Sequence, residues 1–363
     1  MKLAINLGLS LLMLAASLWM VWPNAHGQDA LGVAFDRLTF ADFAQTLVAY
    51  FAMLGVVHFC RAYRWTNLLA PIGVRLGLGR LMAVSSVGFM AILVIPARLG
   101  ELVRPALIRQ KGHVSASAAL GTVAVERIID GLVVSIVVFV TFVTLKNDQS
   151  PGWMMPTAYI ASGLFGVCLI GLFFALSWPN WTVRTFLKVS LLTTLAPRLA
   201  TRLEGKLHEL IRGFAVLRDK KNLFAFLAWT IAYWVANGLS CWVLARGMGL
   251  DTTVVGAFAL MGLVAVGITL PNSPGMIGQY QWLTMLGVSL ELGAITDVAP
   301  LHPDGTPVYG MVLAFAIFLH GLQVVWYVGA GLVAVATPHV SFSELWAARK
   351  LDPEPVAGDA PAS

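Results

Sequence analysis

The chain has 363 residues, 58% of them hydrophobic and only 12% charged, with a mean hydropathy of +0.79. A soluble globular chain carries roughly a quarter charged residues, so that class is excluded and the sequence reads as an all-α polytopic integral membrane protein. The formal charge of +6 does not indicate a nucleic-acid partner, because eight of the 24 Lys and Arg fall in 61–111 and nine in 184–221, the positive-inside pattern of cytoplasmic loops.

Residues 3–22 form the first apolar span. It is expected to be a retained helix rather than a cleaved signal peptide, since it exceeds a usual h-region and no Ala-x-Ala site stands out. The 23–40 loop holds Asp29, Asp36 and a single Arg, which places it outside. Residues 43–60 return the chain inward and end at Arg61-Ala62-Tyr63-Arg64-Trp65. Arg beside Trp fits an interfacial anchor. Arg61 and Arg64 also share a helix face and could hold a lipid phosphate.

The 81–95 run is short of the roughly 20 residues that span a bilayer core. It stops at Pro96 and is followed by Arg98, Arg104, Arg109 and Lys111. With both ends cytoplasmic it must be re-entrant or broken, a backbone tolerated only where protein or water satisfies it. Residues 115–145 then cross outward. Glu126 lies roughly 16 Å along that helix, near the middle of a ~30 Å core. Glu126 and Asp130 are four apart on one face, and Arg127 is three from Asp130.

An outer loop at 146–156 leads to a return span at 157–178. The 184–221 segment alternates apolar residues with cations and reads as amphipathic helix on the inner surface. Residues 223–245 cross outward, and Trp229, Tyr233, Trp234 and Trp242 read as packing or an interface belt. Two short arms, 253–270 and 283–292, flank a break from Pro271 to Trp282 and suggest a second re-entrant pair from the outer side. The 295–307 loop carries Asp297 and Asp304 and is placed outside. Residues 308–336 form the last crossing, with His320 read as a hydrogen-bonded packing residue. The 337–363 tail is expected to be cytoplasmic and partly disordered.

The result is a single transmembrane domain over 1–336 with about six full crossings, two re-entrant pairs and both termini cytoplasmic. Cys60, Cys168 and Cys241 lie in apolar segments in no metal-ligand spacing and suit helix packing.

An ionised side chain at the bilayer centre costs at least about 2.5–3.5 kcal/mol. Arg98, Glu101, Arg104, Glu126, Arg127 and Asp130 must therefore face one another, water or a polar ligand. Their charges cancel, and the cluster suits a polar headgroup: Arg98 would hold an anionic group while the three acids keep the arginines ionised and aimed. At the outer break, Asn272, Ser273, Gln279 and Gln281 would form a second, uncharged half of the site. Breaks at Pro96-x-x-x-Gly100 and Pro271-x-x-Pro274-Gly275 suggest an inverted repeat with a midplane site, where helix N-termini could offer N–H groups to a phosphate. No Ser–His arrangement, nucleotide-binding Gly loop or metal-ligand set is legible, so no catalytic residue, cofactor or metal is assigned.

Four motifs recur in this order in one family: Arg61-x-x-Arg64-Trp65-x-x-Leu68-Leu69, Pro96-x-Arg98-x-Gly100-Glu101-x-x-Arg104, Glu126-Arg127-x-x-Asp130 and Pro271-x-Ser273-Pro274-Gly275-x-x-Gly278. Over about 61–336 the chain resembles the membrane flippase domain of bacterial lysylphosphatidylglycerol synthetases and its standalone relatives. The resemblance implies a translocase whose partner is a membrane lipid: a phospholipid, a hopanoid or a polyprenyl-linked lipid. The soluble aminoacyl-transferase domain of the synthetases has no counterpart in the short tail, which implies that the chain makes no aminoacylated lipid. The family motif often carries Glu where this chain has Gln281, which weakens the case for a cationic lysyl-lipid. An integral membrane enzyme of headgroup transfer and a non-transporting assembly subunit are the alternatives. The sequence leaves homo-oligomerisation open.

Overall fold

A computed structural model describes residues 40–95, 100–109, 114–148, 150–269, 273–293 and 308–340, with a few isolated positions before residue 40. The long apolar runs become helices, since a backbone in lipid must satisfy its own polar groups. In chain order these are α1 (Phe40–Tyr63), α2 (Trp65–Leu69), α3 (Leu78–Val94), α4 (Val103–Arg109), α5 (Ala116–Leu145), α6 (Met154–Ser177) and α7 (Pro179–Val189). They continue as α8 (Leu192–Leu195), α9 (Pro197–Arg212), α10 (Lys220–Gly247), α11 (Val254–Gly267), α12 (Gln279–Leu292) and α13 (Val308–Val335). No strand occurs among the described residues.

Among the described residues, five segments are long and apolar enough to cross a membrane: Phe43–Ile72, Ala116–Leu145, Met154–Ser177, Lys220–Gly247 and Val308–Val335. At 1.5 Å per residue they reach about 36–45 Å, enough for a ~30 Å core. The expected first span at 3–22, the 295–307 loop and most of the tail lie outside the described residues. Helices α3 and α11, of 17 and 14 residues, reach only about 26 and 21 Å.

Local chemistry sets the helix starts. Ser115 accepts from the Ala118 N–H at 3.1 Å, Asp219 from Asn222 at 3.1 Å, and Thr253 from Gly256 at 3.1 Å; each satisfies one of the orphan donors of a first turn. Glu291, near the end of α12, accepts from the Thr253 N–H at 3.0 Å and so ties α12 to the start of α11.

Helix α5 is the axis of packing, touching α6, α9 and α11, while α1 pairs with α10 and α3 with α13. Two large apolar cores result among the described residues, beside two smaller clusters. One joins α1, α10, α11, α12, α13 and the second half of α5, with Tyr50, Val138, Leu260 and Phe315 among its residues. The other gathers α2, α3, α4 and the first half of α5 around Trp65, Val84, Leu107 and Val125. Arg64, Glu126 and Asp130 fall in sequence where one core gives way to the other. The 184–221 segment folds as α7–α9 rather than one helix. Val183, Leu187 and Ala200 pack together, while Arg198, Arg202 and Lys206 stay exposed.

The anchor reading of Arg64-Trp65 is corrected. Both side chains are wholly enclosed, because each finds buried partners: Trp65 donates its indole N–H to Thr122 Oγ1 at 3.0 Å, and Arg64 enters the site described next.

Candidate functional site

Arg64 stands between α1 and α2 with helical backbone, and its side chain reaches α5 and α10. There its guanidinium donates to both Asp130 oxygens, at 2.5 and 2.7 Å, to Glu126 Oε1 at 3.0 Å and to Thr230 Oγ1 at 3.3 Å. The ring of Tyr233 lies 4.7 Å away. Asp130 also accepts from the Trp234 N–H at 3.1 Å. Thr230 and Trp234 are four apart on α10 and present one face to this pair.

Glu126 is the second hub. It accepts from Arg104 at 2.5 Å and from Arg127 at 2.7 Å, besides Arg64. Arg104 reaches it by lying across Gly88 of α3, where an added Cβ would meet the Arg104 stem. The Arg104 guanidinium stacks on Trp65 at 4.5 Å. Isolated buried charges would be expelled at a cost of several kcal/mol each; here each carboxylate meets at least two guanidinium groups.

Beside this network lies a cavity of about 500 Å³, within the range of small-molecule sites. Arg61, Glu101, Arg127 and Asp130 line its charged side. Arg61 stacks on Phe89 at 4.1 Å, and Arg127 keeps a third of its side chain exposed. The buried Nε of each has no hydrogen-bond partner among the described residues. Apolar side chains of α3, α5 and α11 and the polar groups of Tyr280, His320, Gln323 and Tyr327 complete the wall. Among the described residues, no group of three or more His, Cys, Asp and Glu is placed to hold a metal.

Of the sequence-derived candidates, Arg61, Arg64, Glu101, Arg104, Glu126, Arg127 and Asp130 converge here; Arg98 and Asn272 lie outside the described residues. The expected charge balance is corrected. Arg61 and Arg64 join Arg104 and Arg127, so four described arginines oppose the three carboxylates Glu101, Glu126 and Asp130 and leave one positive charge.

The outer break also differs from expectation. Gly275, Met276 and Gly278 all take left-handed backbone, with φ of 61°, 59° and 81°, a conformation that costs a non-glycine such as Met276 about 1–3 kcal/mol. Its polar side chains turn to the backbone. Ser273 donates to the Ile277 carbonyl at 2.6 Å, Gln279 to the Gly267 carbonyl at 3.2 Å, and Gln281 accepts from the Gly278 N–H at 2.7 Å. These bonds satisfy the groups that the break leaves open, and the cavity wall is supplied instead by Met276, Tyr280 and His320. The break packs on α3 near the Leu93 carbonyl, so the two interrupted segments meet beside the cavity. Thr230 and Phe89 were not singled out in the sequence, and Trp234 and His320 were read there as packing residues; the only signal was polar or aromatic residues at helical spacing, which packing explains equally well.

The fold and site define a multi-pass α-helical membrane protein with an arginine–carboxylate network lining a cavity. The chain belongs to the family described as lysylphosphatidylglycerol synthase TM region, which matches residues 5–300. That match begins well before Arg61 and ends ahead of α13. Glycosyltransferase AglD of Haloferax volcanii is 22% identical over a 323-residue match that covers 82% of this chain and 50% of that relative. The chain thus spans about half the length of the curated relative it matches. No solved structure matches.

Proposed function

We propose that the protein is a lipid translocase, moving a lipid with a polar, anionic headgroup between leaflets through this cavity. The observation that carries the reading is the pair Arg61 and Arg127: two guanidinium groups on the cavity wall, each with an Nε lacking a hydrogen-bond partner. The surplus positive charge favours an anion. Arg64 and Arg104 hold the carboxylates in place, and Arg98, in the family motif, would join the anion-binding side. The described residues and the 3–22 span form one domain in a bacterial inner membrane, with the basic 184–221 segment and both termini cytoplasmic. The α3–α4 and α11–α12 pairs enter from opposite faces as re-entrant halves.

A second reading, transfer of a lipid headgroup, is favoured by the name glycosyltransferase carried by the relative from Haloferax volcanii. Reconstitution into liposomes with leaflet-specific lipid analysis separates the two. Translocation without chemical change supports the first reading and a new lipid product the second. A lipid that neither moves nor changes sinks both.

A further inference from the structure

Helix α10 turns one face to the cavity. Tyr233, Trp234, Asn237 and Cys241 all line it. At roughly 100° per residue they fall within about a third of the helix circumference, with Asn237 near the middle. Ile231 and Val235, which are exposed apolar residues, stand roughly 120° and 160° around the helix from Asn237. The next residue, Gly238, packs toward α11, where an added Cβ would meet the Phe258 ring.

Asn237 is half-buried, and its main-chain carbonyl accepts from Ser240 Oγ at 2.7 Å. Its side-chain amide has no hydrogen-bond partner among the described residues. The hydroxyls of Ser85 and Ser135 also lack one, but both are sealed inside the protein. The Asn237 amide is not sealed, and its residue forms part of the cavity wall. An amide is costly to leave unpaired in apolar surroundings, and a polar side chain at membrane depth faces a partner or a cavity. Gln279 and Gln281 find partners within the protein. Asn237 is left to whatever the cavity holds.

The position of this amide relates it to the charged network. It stands one turn of α10, roughly 4.5 Å, beyond Trp234. Trp234 donates to Asp130 at 3.1 Å, and Arg127 approaches Asp130 at 3.7 Å. An amide offers an acceptor oxygen and an NH₂ donor. A hydroxyl satisfies both, because it donates and accepts. An ether or carbonyl leaves the amide oxygen unpaired. An ammonium leaves the NH₂ unpaired, beside a network that already carries surplus positive charge.

We propose that Asn237 is a specificity-determining residue that reads a hydroxyl of the headgroup while the arginines hold its anionic group. The substrate class is then a phosphate ester, the anion that guanidinium forks suit, whose alcohol carries a free hydroxyl close to the phosphate. A phospholipid headgroup and a free phosphate ester share this chemistry. The assignment to a lipid rests on the translocase reading; the recognition by Asn237 does not.

The test uses the full-length protein and Asn237→Leu, which nearly keeps the size of the side chain and removes its hydrogen bonding. The change breaks no side-chain bond among the described residues, so the variant should melt at or above the wild-type Tm. A clear drop would show that the protein itself uses the amide and would overturn the proposal. In nanodiscs, native mass spectrometry compares phosphatidylglycerol with phosphatidylmethanol, diesters of equal charge of which only the first carries headgroup hydroxyls. Wild type should favour phosphatidylglycerol by about three- to tenfold, the worth of one such hydrogen bond, and Asn237→Leu should bind the two alike. Calorimetry on detergent-solubilised protein makes the same comparison with glycerol phosphate and methyl phosphate. If this soluble pair shows the Asn237-dependent preference and neither lipid binds, the hydroxyl reading stands and the lipid assignment falls. Equal binding of both members of a pair by wild type, or a preference that survives in Asn237→Leu, overturns the role of Asn237. Binding of none of these ligands overturns the phosphate-ester class together with the lipid assignment.

Discussion

Replacing Arg64 by Gln removes the cation that holds Asp130 through two bonds, at 2.5 and 2.7 Å, and Glu126 through one at 3.0 Å. A neutral hydrogen bond between membrane helices averages only about 0.6 kcal/mol. Leaving a buried charge without its mate costs about 3–5 kcal/mol, so the abandoned carboxylate sets the size of the effect. Glu126 would keep Arg104 and Arg127, whereas Asp130 would keep the Trp234 N–H and only a 3.7 Å approach of Arg127. Arg64→Gln/Asp130→Asn should therefore recover most of the lost stability, to within about 1 kcal/mol of wild type. Arg64→Gln/Glu126→Gln should recover little, because Arg104 loses its carboxylate while Asp130 stays poorly compensated. Reversible unfolding in bicelles measures all three variants. Two equally stable double variants, or a cost below about 1 kcal/mol for Arg64→Gln, would refute this division of labour.

Gly88→Ala places a methyl on the Arg104 stem and should destabilise by about 1–3 kcal/mol through overpacking, read as a lowered Tm that a distant Gly163→Ala, which meets nothing, does not share. The hydrogen bonds from Asn222 hold the Asp219 carboxyl below its usual range. Its stabilising effect is thus present above about pH 4, the ordinary Asp value, and is lost as pH falls through the depressed folded value. In unfolding measured against pH, Asp219→Ala should lie below wild type at neutral pH and converge on it in acid. A cysteine placed at Lys206 should resist an impermeant reagent added outside intact cells; its modification would invert the topology.

The helices were legible because apolar run length is a local property; the runs read from 115 and 253 start at Ser115 and Thr253, which the structure shows capping their helices. Glu126 and Asp130 were legible because ionised groups in an apolar helix are costly and must find partners. Arg64 was harder. A cation at the end of a span reads equally as an anchor, and only the approach of α1 to α5 and α10 shows it enclosed. The outer break misled for a related reason. Ser, Asn and Gln in a loop can face a cavity or satisfy the loop's own backbone, and the carbonyls of Gly267 and Ile277 claim Gln279 and Ser273. His320 shows the limit of residue-type reasoning: a lone histidine in an apolar helix reads as packing, and this one also lines the cavity.

The measurement closest to the central claim is leaflet exchange of a headgroup-intact, fluorescently tailed phosphatidylglycerol in proteoliposomes, comparing wild type with Arg127→Gln. This variant leaves Glu126 with Arg64 and Arg104, so it should fold, as a melting curve on the same preparation would confirm. Wild type should exchange the lipid faster than protein-free vesicles, and folded Arg127→Gln should fall at least about tenfold toward that background, the loss of one charge-assisted contact. Exchange by folded Arg127→Gln at the wild-type rate, or none above background by wild type, would contradict it.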